Sequence, residues 1–135
     1  MGALGIAIGF VTACSGTTSP TTALTLAPTY HLQSIDGKAV PFANAVGSPV
    51  DSGTLTRLSG DTVATEQFGT VRSSGGNPSI TTIGRAIYRA VQTGNTVVLL
   101  PVIAFATDTA TVSGGTLTVR AYDSGVLQVA VYAAP

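Results

Sequence analysis

The chain has 135 residues, and its six basic and six acidic residues cancel. A neutral chain without a run of like charge offers no electrostatic basis for binding nucleic acid or an anionic membrane surface. At 44% hydrophobic and 9% charged it lies far from the composition of disordered chains, and its length suits one folded domain.

Residues 3–13, ALGIAIGFVTA, form an uncharged apolar run. The run is too short to span a bilayer, which takes about 20 apolar residues, but it fits the roughly 7–15 residue core of a secretory signal. Met1-Gly2-Ala3 brings no Lys or Arg, although signals normally open on one. Either a basic stretch precedes Met1 or the segment is not a signal. Myristoylation after Met1 would need Ser or Thr at position 6, where Ile6 stands. Cys14, the only cysteine, follows the run directly. One cysteine and one histidine can build neither a disulfide nor a zinc site, which leaves a buried thiol or a modified one.

Val11, Thr12, Ala13 and Cys14 place an aliphatic residue and two small ones before a cysteine. This resembles the lipobox of bacterial lipoproteins. The resemblance implies cleavage before Cys14, a diacylglycerol on its sulfur and an acylated new amino terminus. Thiolate nucleophilicity suits the cysteine to that attachment. Two or more acyl chains hold a protein firmly, at about 0.8 kcal/mol per buried methylene. In the same family pattern an Asp after the cysteine retains the protein at the inner membrane. Ser15 stands there, which points to the outer membrane, periplasmic face.

Residues 15–29, SGTTSPTTALTLAPT, carry no charge and little apolar periodicity. Such a stretch reads as a solvated tether, and an irregular first strand through Ala23-Leu24-Thr25-Leu26 is the other reading. The expected organisation is a signal over 1–13, a lipidated tether over 14–29 and a β domain over 30–135.

From Tyr30 onward short strand patterns alternate with turn signals. Tyr30–Ile35 alternates bulky and polar residues, and Asp36-Gly37 supplies a hairpin turn. Pro41 and the stretch 44–49 read as loop. Further strands are expected over 53–59, 62–72 (with a bulge at Gly69), 96–100, 107–112, 116–122 and 126–132. The Gly-rich stretch 73–78 between two of them reads as loop. In the last strand Leu127, Val129 and Val131 share one face, and Gln128, Ala130 and Tyr132 share the other. Residues 80–92 fit two periods. Ile80, Ile83, Ile87 and Val91 make a helical stripe, with Arg85 and Arg89 stacked and Gly94 as cap. Gly84 weakens a helix, and Thr93-Gly94-Asn95 leads directly into an apolar run as a hairpin would, so a strand is the expectation.

About eight consecutive hairpin-linked strands predict an all-β fold. The expected form is a small antiparallel up-and-down barrel, whose closure removes exposed edges, with a β-sandwich as the alternative. The run from Tyr30 to Gly37, the following Pro41, and Gly94-Asn95 before a Thr-Val strand resemble small lipocalin-like barrels of bacterial lipoproteins.

The polar residues form no catalytic pattern. His31 has neither a nucleophile motif nor an orienting partner nearby in sequence and reads as a strand residue at the barrel rim. Asp36, Asp51, Asp61, Glu66, Asp108 and Asp123 are scattered. Arg57, Arg85, Arg89 and Arg120 read as solvent-facing, with Glu66 the partner for any that turns inward. Tyr88, Tyr122 and Tyr132 either line a small cavity or pack in the core and on the surface. Pro78 removes Asn77 as a glycosylation acceptor. These readings converge on a non-enzymatic envelope lipoprotein, anchored through Cys14, with no metal or cofactor. It would bind a small apolar ligand or a protein partner. The alternative is a secreted structural or inhibitor module whose barrel is filled by side chains.

Overall fold

A computed structural model describes residues 23–43, 49–72, 75–103, 107–123 and 125–135. Among them there is no helix. The strands are β1 (Thr29–Ile35), β2 (Lys38–Ala39), β3 (Phe42–Ala43), β4 (Pro49–Val50), β5 (Ser52–Ser59), β6 (Thr62–Val71), β7 (Ser79–Thr93), β8 (Thr96–Pro101), β9 (Asp108–Ser113), β10 (Thr116–Asp123) and β11 (Val126–Ala133). Strands β5 to β11 form a meander, β1 pairs with β5, and β11 pairs back with β1. The result is a closed, eight-stranded antiparallel barrel, as the sequence pattern predicts. Strand β2 adds to β1, and β3–β4 is a separate two-stranded ribbon.

Residues 80–92 belong to β7, the longest strand, so the strand period prevails over the helical one. A helix would pair nothing with β6 and β8 and would leave the barrel open. As β7, the segment makes continuous ladders with both neighbours. The Asp36-Gly37 turn also forms as its chemistry requires. Asp36 and Gly37 adopt φ of 50° and 77°, the left-handed pair of a tight hairpin turn.

Three hairpins, at 60–61, 94–95 and 114–115, lie at one end of the barrel. That end is closed by residues 23–28. Leu26 is buried in the core and Leu24 packs beside it. The Thr25 N–H donates to Gln92 Oε1 at 2.8 Å, and Gln92 Nε2 donates to Thr25 Oγ1 at 2.7 Å and to the Gly94 carbonyl at 2.9 Å. Arg57 donates from its side chain to the Leu24 carbonyl at 3.0 Å and from its backbone to Pro28 at 2.9 Å. The expected solvated stretch 14–29 is therefore packed over its last part. Burying Leu26 offsets the ordering cost by about 1.5–3 kcal/mol. The proposed signal, Cys14 and residues up to 22 lie outside the described residues.

Inside the closed half, Leu55, Val63, Val97, Leu99 and Leu117 are essentially inaccessible, and Tyr30 and Tyr132 pack with them. The aliphatic faces noted in the sequence do not all turn inward. On β7 Arg85, Arg89 and Val91 face out, while Tyr88, Ala90 and Gln92 are buried inside. On β11 Tyr132 is buried and Leu127 is exposed. A barrel of eight strands has little interior room, and these strands send small or polar residues into it.

The bulge expected at Gly69 lies elsewhere. The register shifts between Gln67 and Phe68, where Ile83 of β7 is the extra residue, and Gly69 pairs regularly with Thr81. Gly69 answers to a different constraint. A Cβ there would collide with the Pro49 carbonyl oxygen and press on Ile83. The absence of a side chain lets β4 cross close over β6, and the Asp51 N–H donates to the Phe68 carbonyl at 2.8 Å.

Candidate functional site

The barrel is filled at one end and hollow at the other. The open end holds a cavity of about 640 Å³, partly open to solvent. Its wall is apolar where β1, the β3–β4 ribbon and the β7 bulge supply Ile35, Phe42, Val50 and Ile83. Short side chains make the space: Gly84 and Ala86 of β7 and Ala121 of β10 line it. Polar groups interrupt the wall at Thr65 and Gln67 of β6, Tyr88 of β7, Asp108 of β9 and Gln128 of β11. Asp36, Lys38, Arg85 and Tyr122 also contribute to the lining.

Asp108 and Tyr88 are both buried, at 5% and 7% exposure. The Tyr88 phenol lies beside the Asp108 carboxylate and Thr65, and both bear on its proton. Asp108 Oδ1 accepts the Tyr122 N–H at 3.3 Å. Burial pushes the Tyr88 phenol up to about 12, reinforced by the charge of Asp108. Burial likewise pushes Tyr132 up to about 12, with Tyr88 adding to the effect. Two coupled phenols thus hold their protons at any physiological pH, so Tyr88 acts there as a hydrogen-bond donor rather than an anion.

Other polar residues are placed outside this group. His31 is exposed on β1, opposite Ala133 and Thr54. Arg85 pairs with Glu66 at 3.3 Å, and Arg89 with Asp61 at 2.8 Å; these are exposed pairs of small energetic weight. The hydrogen bond from Arg89 lowers the Asp61 pKa. Asp51 accepts from the Thr70 hydroxyl at 2.5 Å, and Asp36 accepts the Val129 N–H at 2.8 Å. Both carboxylates serve local structure. Tyr88 and Tyr122 line the cavity, whereas Tyr132 packs in the core. Among the described residues no group of three or more His, Cys, Asp or Glu is placed to hold a metal ion.

Exposed apolar side chains gather at the open end of the barrel. Seven of the ten exposed large apolar side chains among the described residues lie at this end: Val71, Ile80, Val102, Ile103, Tyr122, Val126 and Leu127. Ile103 is 93% exposed and Ile80 76%. Exposed apolar residues are normal on a surface when scattered singly, and here they gather at one end.

Compared with protein-family models, with curated proteins and with solved structures, the chain matches none.

Proposed function

We propose that the chain is an envelope binding module, anchored by lipid on Cys14, that holds a small, largely apolar molecule in the open half of its barrel. The cavity of about 640 Å³ carries this reading. Small-molecule sites occupy roughly 300–1,000 Å³ and combine apolar walls with a few convergent polar groups. The packed lower half makes the cup rigid, and the exposed apolar residues at the open end favour the approach of an apolar or amphipathic molecule. The reading is one of binding, with no cofactor. A carboxylate, a phenol and two amides hold and orient a ligand through hydrogen bonds.

The anchor rests on the lipobox-like Val11-Thr12-Ala13-Cys14. Ala23 begins the packed segment at the closed end, nine residues after Cys14. Nine residues span at most ~30 Å when extended. A lipid on Cys14 would therefore attach the barrel on the side away from its mouth and leave the cavity open to the aqueous compartment.

Titration with the fluorescent probe N-phenyl-1-naphthylamine tests the binding reading. Saturable enhancement is expected, and Ala86→Phe should abolish it without lowering the thermal midpoint. Absence of enhancement in the wild type, or equal enhancement in the filled variant, contradicts it. For the anchor, radioactive palmitate should label the wild type and not Cys14→Ala; equal labelling removes the anchor.

A further inference from the structure

Among the described residues no cation pairs with the carboxylate of Asp108 in the cavity wall. It is the first residue of β9, paired with Leu99, on the inward face that Ala110 continues. It is 5% exposed. Every Lys, Arg and His of the chain is among the described residues, and none lies within 4.0 Å of it. Of the cations near the cavity, Arg85 is engaged by Glu66, and Lys38 is an exposed residue of β2.

A buried carboxylate without a counter-charge is costly, and proteins usually pair one. Here the neighbours are two neutral groups, the Tyr122 N–H, which donates to Asp108 Oδ1 at 3.3 Å, and the Tyr88 phenol beside the carboxylate. A carboxylate accepts at about four lone-pair positions, so these neighbours leave acceptor capacity unused. The remaining space around it is the cavity itself. Thr65, Gln67 and Gln128 supply further hydrogen-bonding groups, while Ile35, Phe42, Val50 and Ile83 supply an apolar wall.

We infer that the ligand is an amine with an apolar body, its ammonium group bound by Asp108 and its carbon skeleton lying against the apolar wall. The inference rests on the cavity being a ligand site. The ammonium supplies the charge that Asp108 lacks, and its hydrogen bonds to a carboxylate are charge-assisted and short. A fatty acid would bring a second negative charge to the same wall, and an alcohol would form hydrogen bonds without neutralising it.

Three probes of one chain length, decylamine, decanol and decanoate, separate these cases by displacement of the fluorescent probe from the full chain. Decylamine should bind at least tenfold more tightly than decanol, with decanoate weakest. Asp108→Asn should bring decylamine to within about twofold of decanol, and saturable binding of decanol by the variant reports an intact cavity. Equal binding of amine and alcohol by the wild type overturns the inference, and that comparison stands even if the variant does not fold. A preference that survives Asp108→Asn, or that Asp36→Asn removes instead, overturns it equally. Binding of decanol and decanoate without an amine preference leaves the ligand site standing and removes only the amine. Failure of all three to bind removes both.

Discussion

The Tyr88 hydroxyl and the Asp108 carboxylate meet inside the barrel mouth, brought together from β7 and β9 across the intervening β8. Neither residue neighbours the other in sequence, and the barrel's curvature makes the contact. A hydrogen bond to a buried carboxylate contributes about 1.5–3 kcal/mol. A double-mutant cycle with Tyr88→Phe and Asp108→Asn should therefore show a coupling of that order in urea unfolding. Simple additivity would mean that the two groups do not interact.

Base should weaken the fold in a defined window. Tyr88 and Tyr132 are pushed up to about 12 in the folded barrel, while an unfolded tyrosine ionises near 10. Below pH 10 both states hold the protons, and stability does not depend on them. Between pH 10 and about 12 the unfolded chain binds fewer protons than the native one, so stability falls as pH rises. Urea midpoints measured from pH 9 to 12 should decline across this interval, and less steeply in Tyr88→Phe. A flat profile would contradict the burial of these phenols.

Residues 23–28 are part of the domain, not of a tether. Leu26→Ala should cost about 2–4 kcal/mol by the large-to-small rule for buried residues. Ile103→Ala, at a 93% exposed position, should stay within about 0.5 kcal/mol. A chain begun at residue 23 should keep the full-length urea midpoint, and one begun at 29 should lose it. Equal midpoints for the two truncations would show that Leu26 does not seal the barrel.

Gly69 and Gly84 face different surroundings and should respond differently to a methyl group. At Gly69 the added Cβ meets the Pro49 carbonyl, so Gly69→Ala should cost about 1–3 kcal/mol and shift β4. At Gly84 the nearest atom would be Gln67 Oε1 at 3.7 Å. Gly84→Ala should be neutral or slightly stabilising, since glycine weakens a strand interior. Thermal melts of the two variants check the contrast.

Much of the fold was legible in the sequence because barrel strands are short and each turn carries its own chemistry. Asp36-Gly37 and Thr93-Gly94-Asn95 punctuate the chain where hairpins form, and strand alternation fixes what lies between. The β3–β4 ribbon was not legible, because its pairing is only two residues a side. The role of Leu26 was hidden by the Thr- and Pro-rich composition around it. The cavity was harder still. It arises from Gly84, Ala86 and Ala121 on separate strands, and no local pattern records a shared vacancy. Asp108 did leave a trace. In its strand, Ala110 and Val112 form the apolar face, and Asp108 falls on that face rather than with Thr109 and Thr111. A carboxylate in phase with core residues is a signal that proximity to turns obscured.

The central claim is that the hollow end of the barrel receives a ligand, and amide chemical-shift mapping tests it most directly. Titrating the ¹⁵N-labelled protein with decylamine should move the amides of Thr65, Gln67, Gly84, Ala86, Asp108 and Ala121. Those of Val63, Ala90, Val97 and Leu117 in the packed half should stay in place. Shifts confined to the outer faces of the strands, or no saturable shifts at all, would contradict the account.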